Sequence, residues 1–412
     1  FSNIKMILML LEFTVGNFLS FKDKKTFSLE AGGIKTVLPD NVVQNGKYKV
    51  LRSAGIYGAN SSGKSNFVKA LDFMVNTVKH SSKLNSIDKL GAKPFLLNTE
   101  TENQPCYFEI LFTEEESRYR YGFELDNDKI HSEWLFVLEA NSKKEIPYFV
   151  RELEGIGVAD IFEEAKSFIA NTRDNGLFLS LLDQLNVSIA KTVIYNISKN
   201  RVISGIDHKE AILMTGVLYK YEEEKLLIES FISKLYLGFD SFKLQDDSNL
   251  PFGKKIKTIH KKYNKKGEFI SNFEFDLIDQ ESSGTNKLFD LSGHIVFALM
   301  YGRVLIIDEL DSKLHPILTQ EIIKLFNNPE TNPKNAQLIF TTHDTNLLGA
   351  NLFRRDQIWF TEKDEFESTD LYSLLEFKDG DGKSVRNDRS FEADYIRGRY
   401  GAIPYISNLQ EI

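Results

Sequence analysis

Residues 55–71 read GIYGANSSGKSNFVKAL, and within them Gly58, Ala59, Asn60, Ser61, Ser62, Gly63, Lys64 and Ser65 follow the spacing glycine, four residues, Gly-Lys-Ser. This pattern constrains the fold because it works in one setting only: a tight loop between a buried strand and a helix N-terminus, where backbone amides converge on an anion. Both flanks are present. Val50 to Tyr57 reads as a buried strand, and after Ser65 the apolar residues Phe67, Val68, Leu71, Met74, Val75 and Val78 recur at helical spacing. The loop and the helix start, through Asn66, therefore read as a phosphate cradle, with Lys64 reaching the outer phosphates and the Ser65 hydroxyl a ligand for Mg2+.

A triphosphate site needs a carboxylate for the metal, and RVLIIDELDSKLHP supplies one. Val304 to Ile307 form a buried strand that ends in Asp308, which would bind Mg2+ directly or through water, and Glu309, which would polarise the attacking water. A second buried strand in LIFTTHDTNLL, residues 338–348, ends near His343, whose place in the series lets it reach a γ-phosphate. Ahead of Asp308, ESSGTNKLFDLSGHIVFALM opens a helix with Ser282 and Gly284, a geometry that offers a hydroxyl and free amides to an anion and that also reads as an N-cap.

The order of these pieces resembles the ABC-type ATPase head. More narrowly, NFLSFKD (17–23), YGANSSGKSN, ESSGT, DELDSKLHP, TTHDTNLL, RRDQIWFTEKD and GRYGAIP resemble the bacterial SMC/RecF/OLD-like ATPases of the RloA and AriA type, associated with restriction islands and phage defence. The resemblance implies an ATP hydrolase whose two heads sandwich ATP. Lys64, Ser65, Asp308, Glu309 and His343 would then act in cis, and Ser282 and Gly284 in trans, in a homodimer or higher oligomer. It further implies a molecular switch that senses phage and controls a separately encoded effector nuclease. Two departures stand out: the signature is Ser-Ser-Gly-Thr instead of Ser-Gly-Gly-Gln, and the nearest candidate for the glutamine loop is Gln104. A RecF-like repair ATPase that binds DNA is the alternative, and a transporter ATPase subunit a more distant one.

The expected fold is α/β: an ABC-ATPase head built of a P-loop mixed sheet with helices and an antiparallel β subdomain, carrying a helical insertion. The separation of 244 positions from Lys64 to Asp308 exceeds what one compact P-loop unit needs. The division is accordingly 1–140 for the N-terminal half of the head, 141–245 for the helical insertion and 246–412 for the C-terminal half. CYFEILFTEEESRYRYGFELDNDKIHSEWLFVLEA reads as three antiparallel strands, and KEAILMTGVLYKYEEEKLLIESFISKLYLGF as one packed helix.

Composition narrows the class. With one cysteine, Cys106, the chain forms no internal disulfide and no cysteine-based zinc cluster, which suits a reducing cytoplasm. The apolar run Met6–Leu11 is too short to span a membrane. A net charge of −8 argues against a surface basic throughout, so DNA is possible and not demanded. Lys254, Lys255, Lys257, Lys261, Lys262, Lys265 and Lys266 form a local basic cluster. It reads first as a solvated hairpin with its tip at Asn264–Gly267, and second as a contact for phosphate backbone with Tyr263 as its one stacking aromatic. His80, His131, His208, His260 and His294 have no metal-ligand spacing.

Overall fold

Arg52 marks the point where the chain passes from one sheet to another. In the computed structural model, which describes residues 8–34, 37–114, 116–204, 209–235, 238–239, 241–246, 254–380 and 382–404, the run Val50–Tyr57 is two strands and not one. The strands β1 (Leu8–Gly16) and β2 (Lys25–Ser28) pair as a hairpin, as do β3 (Val42–Asn45) and β4 (Tyr48–Leu51). The Arg52 guanidinium then donates to the carbonyls of Asp40 (2.9 Å) and Asn332 (3.1 Å), and β5 (Ser53–Tyr57) begins. It runs through the glycine loop into α1 (Lys64–His80). Met6, Ile7 and His208 lie outside the described residues.

The three antiparallel strands read from alternation are β6 (Cys106–Glu114), β7 (Ser117–Leu125) and β8 (Ile130–Leu138), and β9 (Ile146–Glu152) and β10 (Gly155–Val158) extend them. The sheet order is β10-β9-β8-β7-β6-β1-β2. Residues 160–171 are 3-10 turns instead of an α-helix, kinked at Phe162, whose ring turns inward onto Tyr148 at 5.5 Å. The helices α2 (Phe178–Gln184) and α3 (Ser188–Ser198) follow, then β11 (Arg201–Ser204). The single helix read over 209–239 is two, α4 (Lys209–Leu218) and α5 (Glu222–Lys234), separated at Tyr219–Tyr221, where the Tyr219 hydroxyl reaches Glu229 and the Phe242 carbonyl. A small sheet of β12 (Ser241–Asp246), β13 (Lys254–Tyr263) and β14 (Phe269–Asp276) comes next.

The rest of the chain is α6 (Leu277–Gln280), α7 (Ser283–Tyr301), β15 (Val304–Asp308), α8 (Pro316–Asn327), β16 (Gln337–Thr341), α9 (Asn346–Gly349), β17 (Ile358–Lys363), β18 (Thr369–Ser373) and α10 (Phe391–Ile396). It completes a central sheet of order β11-β15-β16-β5-β17-β18, parallel except at β18. Alternation splits its side chains between two cores. Ala54, Ile56, Val304, Ile306, Ile339 and Trp359 face the layer made by α1, α2, α3 and the antiparallel sheet; Tyr57, Leu305, Ile307, Leu338, Phe340 and Phe360 face α7, α8, α9 and α10. A parallel sheet covered on both faces needs such unbroken apolar strands, and each buried side chain contributes about 1.5–3 kcal/mol. Among the described residues no helix is long and apolar enough to cross a membrane.

Gln337 joins the two sheets. Its amide donates to the carbonyls of Leu10 (3.0 Å) and Leu51 (3.1 Å) and accepts from the Leu10 amide (2.7 Å), at the point where the β1–β6 register shifts between Leu10 and Glu12. The bulge leaves backbone groups that β6 does not pair, and a buried polar side chain fills the gap. Gln337→Leu orphans them, and urea denaturation should show a loss of about 2–4 kcal/mol of stability.

Candidate functional site

The parallel strands β5, β15 and β16 all end on one side of the sheet, so the glycine loop comes together with Asp308–Glu309 and His343 although more than 200 residues separate it from them. The loop conformation is held from behind. Gly63 has φ 113°, a left-handed value, and a Cβ there would sit 2.3 Å from the Thr369 hydroxyl. Thr369 Oγ1 lies within hydrogen-bond distance of both the Ser62 carbonyl (3.0 Å) and Ser20 Oγ (2.7 Å), while Ser62 Oγ bonds Thr361 Oγ1 at 2.6 Å. A Cβ on Gly58 would meet the Thr361 carbonyl at 2.4 Å. Asn66 Nδ2 donates to Ser20 Oγ (2.8 Å), which ties the first turn of α1 to the same brace. Ser20 and Thr361 lie in the quoted stretches NFLSFKD and RRDQIWFTEKD and Thr369 in neither, but nothing in those stretches marks any of the three as a brace for the loop. Asn60 and Ser61 are exposed on the outer lip of the loop, and Ala59 and Ser65 are partly buried.

Lys64 is buried, and its ammonium donates to the carbonyls of Gly58 (2.7 Å) and Ala59 (2.9 Å). Burial lowers its pKa to about 8, against the opposing pull of Asp308, Glu309 and Asp311. A buried cation resting on the carbonyls of a loop with left-handed residues at Ser61 and Gly63 is a cradle suited to phosphate.

Thr341, on the neighbouring strand, holds the Asp308 carboxylate and the Glu309 backbone. Its hydroxyl donates to Asp308 Oδ1 (2.6 Å) and accepts from the Glu309 amide (2.7 Å). Glu309 has a left-handed backbone, φ 55°. That strained geometry is held by Lys287 of α7, whose buried ammonium donates to the carbonyls of Glu309 (2.8 Å), Leu310 (2.9 Å) and Ser312 (2.6 Å). Asp311 accepts from the backbone amide of His343 at 3.3 and 3.4 Å, fixing the turn that carries the imidazole. The His343 pKa is lowered, first by partial burial and then by the Lys64 ammonium, so the ring is neutral at pH 7. Among the described residues no cluster of three or more His, Cys, Asp or Glu could hold a metal alone. One carboxylate and one hydroxyl, Asp308 and Ser65, fit Mg2+, which keeps waters and borrows phosphate oxygens.

Ser282 lies apart from this group. Its hydroxyl caps α7, accepting from the Thr285 amide (3.1 Å) and bonding Thr285 Oγ1 (2.9 Å), and it is exposed. Among the described residues no hydrogen bond joins Ser282 or Gly284 to the glycine loop. Gly284 instead lets α7 approach the turn after β15, since a Cβ there would be 2.8 Å from the Lys313 carbonyl. Gln104 is exposed, and its backbone is held in a turn by Asn17 (2.9 Å). His315 caps α8 through Nδ1 to the Ile317 amide, 3.3 Å. A cavity of about 430 Å³ opens beside the loop between Gly58–Asn60 and His343, walled by Tyr57 and Tyr395.

A family model described as "AAA domain, putative AbiEii toxin, Type IV TA system" matches residues 53–349. No curated protein matches the chain. Among solved structures it is similar to the SMC head domain from Thermotoga maritima, at 15% identity over 88% of this chain and 98% of that one, TM-score 0.42. It is also similar to an Smc head domain derived from Pyrococcus furiosus, bound to the C-terminal domain of ScpA, at 14% identity over 89% and 96%, TM-score 0.43. The recombination mediator protein RecF with ATP matches at 13% identity over 89% and 98%, TM-score 0.38.

The Lys64 environment makes a direct prediction. At pH 8 about half of the site is deprotonated, and a bound polyphosphate restores the ammonium, so binding a non-hydrolysable ATP analogue should take up about half a proton per site. Calorimetry in buffers of different ionisation enthalpy measures this, and at pH 6.5 the uptake should vanish.

Proposed function

The chain belongs to this AAA-domain family, and from that premise we propose that it is a Mg2+-dependent ATP hydrolase whose paired heads close on ATP and open after hydrolysis. The observation that carries the reading is the convergence of a carbonyl-held, buried Lys64 with Asp308 and Glu309, while Ser282 is exposed and bonded only within its own helix start. The amides of residues 58–66 and the Lys64 ammonium hold the phosphates. Ser65 and Asp308 would hold Mg2+, which would supply charge neutralisation to the phosphates. Glu309 accepts a proton from the attacking water, and His343, neutral and beside Lys64, donates a hydrogen bond towards the γ-phosphate.

Closure follows from the placement of Ser282 and Gly284. The exposed N-terminus of a 19-residue helix, with its free amides and cap hydroxyl, complements a γ-phosphate presented by a second copy. ATP then bonds both copies in the closed state only, which is the differential affinity that a switch requires. We assign the chain to a cytoplasmic phage-defence system in which this switch restrains or releases a separately encoded nuclease. The support is the motif resemblance together with the family match.

Glu309→Gln should bind ATP and accumulate as a dimer while phosphate release falls about 100-fold or more. Light scattering and a phosphate assay decide it, and unchanged turnover removes Glu309 as the base. Mixing Lys64→Ala with Ser282→Arg subunits should restore one working site per dimer. Mixed dimers that form and remain inactive would rule out the arrangement in trans.

A further inference from the structure

Fourteen consecutive residues, Lys261 to Glu274, are exposed, although they form two hydrogen-bonded strands and their turn. The root of the same hairpin behaves differently. Ile256 and Thr258 are buried, and Ile256 joins the apolar cluster shared by α4, α5 and α7. The outer half of β13 and β14 therefore stands clear of the body as an arm, reaching roughly 20 Å at about 3.3 Å per residue.

A two-stranded ribbon with neither face covered has no folding reason to carry large apolar side chains. This one exposes Tyr263 (54%), Phe269 (56%), Ile270 (57%) and Phe273 (48%). Phe269 lies opposite Tyr263 in the strand register, and the Lys262 ammonium lies 5.8 Å over the Phe273 ring. Tyr263 lies within the lysine run itself, and Phe269 and Phe273 join it from the returning strand. Lys265 and Lys266 at the tip make no ion pair among the described residues. The nearby acids are engaged: Glu268 accepts from Asn264 (2.7 Å), Asp276 pairs with Lys255 (2.5 Å), and Glu281 with His260 (2.7 Å). On a chain of net charge −8, a projecting arm of lysines and bare aromatics is complementary to a polyanion with flat, unpaired rings.

We propose that this arm binds single-stranded nucleic acid, its bases stacking on Tyr263, Phe269 and Phe273 and its phosphates meeting Lys262, Lys265 and Lys266. A duplex offers the arm only its phosphates, so the aromatics favour the unpaired strand. The arm also leads into the signature segment. Glu281, which immediately precedes Ser282, is gripped from β13 by His260 and by the Thr258 hydroxyl (2.5 Å), so load on the arm is felt next to Ser282.

Fluorescence anisotropy of labelled oligo-dT and oligo-U of about 20 nucleotides, beside a duplex of equal length, tests the proposal. Both single strands should bind more tightly than the duplex, and affinity should fall about tenfold or more between 50 and 200 mM salt. Lys265→Glu with Lys266→Glu should weaken binding at least about tenfold and flatten the salt slope; Phe269→Ala with Phe273→Ala should weaken it as much with the slope unchanged. Thermal melts of both variants check that the body is intact. No binding, equal preference for duplex, or binding indifferent to both variants overturns the proposal. So does a change in oligomeric mass with oligonucleotide binding untouched, which would make the arm a contact between proteins. The titration is read without ATP, so its outcome and that of the hydrolase reading are independent.

Discussion

A parallel sheet has to be covered on both faces, and most of this molecule is arranged around that requirement. Five parallel strands send alternate side chains into two separate cores, so one layer must supply α1 to α3 and the antiparallel sheet, and the other α7 to α10. The strand order follows from the same need. β16 lies between the strand that leads into the glycine loop and the strand that ends in Asp308, which puts Thr341 against the Asp308 carboxylate and the Glu309 backbone amide. Parallel strands also end together, and that alone gathers Lys64, Asp308 and His343 at one edge.

The chemistry of the edge depends on braces that come from elsewhere in the chain. The glycine loop keeps its shape because the β17–β18 hairpin presses against it, with Thr361 and Thr369 at the two glycines. The Asp-Glu turn keeps its shape because Lys287 satisfies three of its carbonyls at once. Lys287 lies on the helix that Ser282 caps, and Gly284 of the same helix closely approaches the Lys313 carbonyl, so the first turns of α7 and the turn after β15 are tied at two points.

Much of the frame was legible before any coordinates. The strand-loop-helix around Lys64, the strand ending at Asp308, the strand before His343 and the hairpin tip at Asn264–Gly267 all lie where periodicity and glycine spacing place them. Reading was weaker where local pattern and tertiary context disagree. The apolar spacing of 209–239 runs on without a break, yet Tyr219–Tyr221 turns because the Tyr219 hydroxyl finds partners in Glu229 and Phe242. The stretch 160–171 has helical spacing and forms 3-10 turns because Phe162 is drawn to Tyr148.

What the sequence by itself determined is the set of local devices: a loop able to surround an anion, apolar strands that end in carboxylates, a capped helix opening on Ser282. Each is written in neighbouring residues, because glycine freedom, side-chain alternation and capping act over a few positions. What only the tertiary structure decided is which distant side chains hold those devices in working shape. The bracing roles of Ser20, Thr361 and Thr369 behind the loop, of Thr341 and Lys287 at the Asp-Glu turn and of Gln337 between the sheets, and the exposure of Phe269 and Phe273 on the arm, are not written in neighbouring residues. Their partners are brought within hydrogen-bonding distance, or their cover is withheld, by the packing of layers far apart in the chain.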